Sequence, residues 1–180
     1  MSILPIVIAP NNIFKTKANL IANVNKEIQR FLDDMLETMY FNHAVGLGAN
    51  MVGAIHQCVV VDLMQNGQKN PLIMVNPVVH ITSEEKQEFE EASLSFPGIS
   101  APITRPRHIT VNYIDYDNNA QELKAEGFLS SVLQHEIDYL SGKVFLDYLT
   151  PLKRSFLLKK MEKFKKHPHH HHVHDEHCNH

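Results

Sequence analysis

Apolar residues at Val24, Ile28, Phe31, Leu32, Met35, Leu36 and Met39 recur at three- and four-residue steps, the period of one helix face. They predict an amphipathic helix over residues 24–40, capped by Asn23 or Asn25. Ahead of it, residues 3–8 read as a short extended strand stopped by Pro10-Asn11-Asn12. The period then shortens. Residues 57–63, 72–80, 81–89 and 109–116 are runs rich in β-branched side chains, with turns at Asn66-Gly67 and Asp117-Asn118-Asn119. The stretch from Glu90 to Pro106 contains Pro97, Pro102 and Pro106, and reads as an irregular connection or a sheet edge. A second helix is predicted over Gly127–Leu140, burying Phe128, Val132, Leu133, Ile137 and Leu140, with Gly142 as its stop. Residues 144–149 are short and apolar. Thr150-Pro151 opens a third helix through Leu152, Phe156, Leu157, Met161 and Phe164. There is no internal repeat. The sum is an α+β fold: antiparallel sheets around a central helix, with N-terminal and C-terminal helices flanking it.

Composition narrows the class. The chain has 180 residues, 43% of them hydrophobic and 21% charged, enough to bury a core. Residues 1–166 read as one domain and residues 167–180 as a disordered tail. The net charge of −3 gives no general nucleic-acid footprint, and no run of 18 apolar residues predicts a membrane span. The start of the chain has no basic region before its apolar run, so it reads as a structural segment and not a signal peptide. Two cysteines, Cys58 and Cys178, make no disulfide framework, and a reducing cytoplasm is the expected compartment.

The tail has its own chemistry. Eight of its 14 residues are histidine. His169, His170, His171, His172, His174, His177 and Cys178 are ligands suited to zinc, nickel or copper. Such a stretch is either a native metal-binding segment or an expression tag, and its interrupted pattern favours the former.

Two stretches point to a site. Residues 44–53 carry three glycines, Gly46, Gly48 and Gly53, in a backbone that turns tightly or approaches a ligand. No Gly-Lys-Ser/Thr follows, so this is not a phosphate loop. Residues 134–142, QHEIDYLSG, place His135-Glu136 inside the second helix with Tyr139 four residues after His135. A histidine at that position would complete His-Glu-x-x-His, two imidazoles on one helix face with a glutamate base beside them.

These stretches, together with Glu91–Ser95 (EASLS), resemble the three motifs of the peptide deformylase family: Gly-φ-Gly-φ-Ala-Ala-x-Gln, Glu-Gly-Cys-Leu-Ser and Gln-His-Glu-φ-Asp-His-Leu-x-Gly. The opening ILPIVIAP, Val75-Asn76-Pro77, Ser95-Phe96-Pro97-Gly98 and Arg105-Pro106 extend the likeness over residues 3–165. The resemblance implies removal of the formyl group from initiator methionine. It also implies a divalent metal, commonly iron(II), held by one cysteine and two histidines. The positions differ here. Ser93 stands at the cysteine, Tyr139 at the second histidine and Met51 at the glutamine that donates to the reacting carbonyl. His135 remains as a ligand, Glu136 as the general acid/base and Leu94 as a backbone oxyanion donor. Gly46, Leu47, Gly48 and Arg105 fall at substrate-binding positions.

The physical consequence is large. A bound metal lowers the pKa of water from about 15.7 to about 7. A carboxylate with a reference pKa of about 4.3 cannot replace that. Losing one oxyanion donor costs roughly a further 10²–10³ in rate. The expectation is therefore a deformylase-like protein without deformylase activity, with no cofactor in the cleft, still able to bind a peptide N-terminus. The alternatives are an active hydrolase with rebuilt ligands around one iron, nickel or zinc ion, and a metal-handling protein acting through its tail. Expected partners are nascent peptide N-termini, or the ribosome approached through the lysine-rich third helix; the plainer reading of that charge run is a solvated face.

Overall fold

The computed structural model describes residues 2–166. The Asn25 side chain accepts hydrogen bonds from the Glu27 and Ile28 amides and so starts α1, Lys26–Phe41. Leu32, Met35 and Met39 on its inner face are fully buried. The strands are β1 (Gly46–Gly48), β2 (Cys58–Val61), β3 (Leu72–Ile81), β4 (Lys86–Ala92), β5 (Ser100–Pro106), β6 (His108–Ile114) and β7 (Ala120–Glu126). There is an antiparallel sheet of order β1-β2-β3-β6-β7 and a separate antiparallel hairpin, β4-β5. Next come α2 (Gly127–Leu140), a 3₁₀ turn at Phe145–Tyr148 and α3 (Pro151–Lys166).

The sequence CVVV of β2 explains where the core lies. All four residues are buried. Side chains alternate across a strand, so Cys58 and Val60 join the cluster of Leu32, Met35 and Met39, while Val59 and Val61 join that of Leu133 and Leu140. Burial pushes the Cys58 thiol up to about 12, which makes it an inert core residue. At the end of α2, Gly142 takes a φ of +74°, and its amide donates to the Tyr139 carbonyl. A Cβ there would stand 2.8 Å from the Lys15 carbonyl carbon, so the turn is closed against the N-terminal segment.

The predicted α+β architecture and all three helices are present. The local elements differ from, or add to, the expected ones. Residues 3–8 form no strand; instead, Val7 donates to the Met51 carbonyl and Ala9 to the Ser95 carbonyl. Residues 81–89 are not continuous, because β3 ends at Ile81 and β4 begins at Lys86. The stretch read as an irregular connection or a sheet edge contains both: residues 93–99 are an irregular connection around Pro97, and they join the strands of the hairpin β4-β5, where Pro102 and Pro106 are tolerated because a two-stranded sheet is all edge. Strand β7, AQELKAE, was not anticipated: its exposed edge position leaves no apolar alternation to read. Part of the glycine-rich stretch is itself a strand, β1.

The buried stripe of α2 differs as well. Phe128 is 45% exposed, whereas Ser130, Ser131, Gln134, His135, Glu136 and Tyr139 are buried. The helix is enclosed on more than one side, and its polar residues face a second wall. No helix among the described residues is long and apolar enough to cross a membrane. The tail residues His169, His170, His171, His172, His174, His177 and Cys178 lie outside the described residues.

Candidate functional site

Helix α2 carries the site because three of its residues, His135, Glu136 and Tyr139, fall on faces directed at β1 and at the segment following β4. Ser93 lies just beyond β4. Tyr139 Oη donates a 2.7 Å hydrogen bond to Ser93 Oγ. The ring of Tyr139 is fully buried and meets Phe14 edge-on, with centroids 5.7 Å apart. Burial raises the phenol pKa well above its ordinary value, so Tyr139 is a neutral donor.

His135 is fixed from behind. Its Nδ1 lies 2.7 Å from Glu91 Oε2, and its ring stacks on Phe145. His135 hydrogen-bonds to this carboxylate and not to Tyr139, whose hydroxyl is taken by Ser93. Burial opposes charge on the imidazole, but the Glu91 hydrogen bond and the charge of Glu136 outweigh it and raise the His135 pKa. Glu91 also receives both Nε and Nη2 of Arg105. Burial works against its charge, and the His135 and Arg105 hydrogen bonds overcome it, holding the carboxyl below its usual range. Arg105 Nη1 reaches Asp138 Oδ2 at 2.8 Å and the Tyr148 hydroxyl at 3.0 Å. Arg105 is 1% exposed. Its fork is committed to this network, so the structure places it behind the cleft and not at a substrate-binding wall.

Glu136 faces forward. It is 5% exposed, and its Oε2 has no hydrogen-bond partner among the protein atoms. Burial pushes its carboxyl up to about 7; nearby His135 counteracts the shift and Glu91 adds to it. Gly46 makes room for it, since a Cβ at Gly46 would stand 2.6 Å from Glu136 Oε1. Gly48 packs on the α2 backbone, where a Cβ would lie 3.3 Å from the Glu136 carbonyl oxygen. Leu47 is fully buried in the core and presents only its backbone at this edge.

Two adjoining concavities share Val45, Ala92 and Glu136. One, of about 180 Å³, is walled by Val45, Phe89, Phe128 and Val132, with His135 and Glu136 at its floor. Phe89 and Phe128 meet edge-on, with centroids 5.4 Å apart. Sequence reasoning missed these walls, because a single apolar residue per element carries no periodic signal. The other, of about 430 Å³, is a wider groove that includes Met51, Ser93 and Leu94. Strand β1 is the outermost strand of its sheet, and β4 pairs with β5 alone.

The donor set can be compared with what a hydrolytic metal needs, which is three protein ligands and an open position. Among the described residues, no group of three or more His, Cys, Asp or Glu is arranged to hold a metal ion. Ser93 and Tyr139 are neutral hydroxyls engaged with each other, and the one imidazole, His135, is paired with the Glu91 carboxylate behind it. These residues do not fit a tightly held hydrolytic ion.

The family model for polypeptide deformylase matches residues 3–155. A "Peptide deformylase-like" protein of Rickettsia conorii is 55% identical over 164 residues, covering 91% of this chain and 90% of that protein. A "Peptide deformylase" of Rhizobium meliloti is 39% identical over 164 residues, covering 91% and 94%. The crystal structure of peptide deformylase from Ehrlichia chaffeensis superposes with a TM-score of 0.86 at 35% identity, covering 92% of this chain and 98% of that one. On sequence and on fold alike, the chain belongs to the polypeptide deformylase family.

Proposed function

We propose that this protein keeps the deformylase scaffold and a pocket for a peptide N-terminus, but lacks N-formylmethionine deformylase activity. The Tyr139–Ser93 hydrogen bond carries the reading. The two positions at which the resemblance puts a histidine and a cysteine ligand are occupied by hydroxyls that satisfy each other. A rebuilt metal hydrolase would need Tyr139 as a phenolate, and the raised phenol pKa opposes that. Met51, 2% exposed, sets a thioether, with no hydrogen to donate, at the position of the amide donor.

What remains is suited to binding. The apolar pocket of about 180 Å³ accepts one side chain, and the edges of β1 and β4 can hold an extended backbone. In this reading the protein acts in the cytoplasm, and its partners are the N-termini of nascent peptides. The test is metal uptake. Protein ending at Lys166 would be purified anaerobically, offered iron(II), nickel(II) or zinc(II), and desalted. The expected result is well under one equivalent of bound metal; a full equivalent retained by this tail-less chain would refute the reading.

A further inference from the structure

Helix α3 is seated by one face and presents another. Met161 is 1% exposed, Leu157 and Leu158 pack against the core, and the Phe164 ring covers Gly98 so closely that a Cβ there would collide with it. Lys165 Nζ donates to the Ala9 carbonyl, and Arg154 pairs with Asp147. The other face carries Leu152, Phe156, Lys159 and Lys163, one stripe at helical spacing, with Lys153 and Lys160 beside it. Leu152 is 81% exposed and Phe156 67%. Among the described residues, the ion pairs of α3 use only Arg154, Lys165 and Glu162, so these four lysines are uncommitted. Two large apolar side chains thus stand in water, one turn apart, among ammonium groups. The helix holds seven cations and one carboxylate, a net of +6. The whole chain is −3, so everything outside α3 sums to −9.

We propose that this face docks on an anionic lipid surface, Leu152 and Phe156 entering the boundary between headgroups and acyl chains while the lysines reach the lipid phosphates. Of the partners that a basic helix can meet, this one uses both halves of the stripe. RNA phosphates would satisfy the lysines but leave the two apolar side chains in water. A two-fold contact with a second copy through this face would set one helix of net +6 against another, which repels. A protein partner would bury lysine, whose flexible and strongly hydrated ammonium makes it depleted at protein interfaces. At a bilayer the lysine stems lie along the apolar layer and their ammonium groups stay among the headgroups. The −9 carried by the rest of the chain turns the body away from the same negative surface, so the field of the whole molecule favours the orientation that brings α3 into contact.

The test is sedimentation of the full chain with vesicles of phosphatidylglycerol and phosphatidylcholine in equal parts, beside vesicles of phosphatidylcholine alone. At about pH 8 the imidazoles of residues 167–180 are neutral and add no charge. Binding to the phosphatidylglycerol vesicles is expected to be about tenfold tighter or more, and to weaken as salt screens the lysines. Leu152→Ser with Phe156→Ser should lower it on the order of tenfold. The thermal midpoint of that double variant should be unchanged, because both side chains are exposed. The chain has no tryptophan, so Phe156→Trp supplies a single reporter whose emission should shift to the blue on these vesicles. No preference for phosphatidylglycerol, binding undiminished in the Leu152→Ser, Phe156→Ser variant, or an emission that does not move would each overturn the proposal. So would tighter binding to ribosomal RNA than to the vesicles, which would assign the face to RNA.

Discussion

Tyr139 Oη lies 2.7 Å from Ser93 Oγ and donates to it, tying the last turn of α2 to the segment after β4. The bond closes a buried aromatic cluster, in which Tyr139 meets Phe14 and Phe14 meets Phe96. Tyr139→Phe keeps the ring and removes the donor. It should cost about 1 kcal/mol, the net value of one hydrogen bond. Tyr139→His removes ring contacts as well and should cost roughly 2–4 kcal/mol. Urea unfolding followed by circular dichroism measures both. Equal losses for the two variants would mean that packing around Tyr139 is looser than its complete burial implies.

Gly46 is held bare by Glu136. With a Cβ 2.6 Å from Oε1 and 2.7 Å from Cγ, Gly46→Ala must displace the carboxylate or move β1. The expected cost is about 1–3 kcal/mol, the range for overpacking a core. Thermal unfolding reads the stability loss, and titration with Met-Ala-Ser amide reads an accompanying loss of peptide affinity. Unchanged stability and unchanged affinity would show that the Glu136 side chain has another place to go.

Arg105 neutralises Glu91 and Asp138 while 1% exposed. Arg105→Met leaves the buried Glu91 with His135 as its one remaining partner, which should cost about 3–5 kcal/mol. Arg105→Lys should recover only part of this, because an ammonium cannot match the two-pronged contact with Glu91. The same unfolding assay ranks the three proteins.

Stability should fall as pH rises through neutrality. The folded-state pKa of Glu136 is raised from 4.5 to about 7, so the folded chain holds this proton more tightly than the unfolded chain does. Its stabilising effect is complete below about pH 4.5 and is lost as pH climbs through 7. His135, also raised, acts in the same direction. Glu136→Gln removes the carboxyl part of the slope. Between pH 5 and pH 8 the unaltered chain should therefore lose on the order of 2–3 kcal/mol relative to that variant. Parallel pH profiles for the two would contradict the burial that raises the Glu136 pKa.

The helices were legible in the sequence for separate reasons. Asn25 and the 3.6-residue stripe announce α1, and Gly127 with Gly142 brackets α2. Two polar strands were less visible. β7 has almost no buried face to leave a pattern, and the prolines of β5 disguise a strand that alternates buried Ala101, Ile103 and Arg105 with exposed residues. At the site, the sequence exposed the identity of Ser93, Tyr139 and Met51, but not the pairings. Nothing in QHEIDYLSG says that His135 turns to Glu91, or that Arg105 sits behind it, because those contacts join residues 44 and 14 positions apart.

The central claim is tested most directly by turnover of formyl-Met-Ala-Ser. Protein ending at Lys166 would be assayed anaerobically with iron(II), nickel(II) or zinc(II), beside the triple variant Met51→Gln, Ser93→Cys, Tyr139→His. The account predicts no turnover above buffer for the parent chain, and metal-dependent turnover only in the triple variant. Metal-dependent hydrolysis by the parent that vanishes in Glu136→Ala would contradict it, and would make Ser93 and Tyr139 working parts of an active centre.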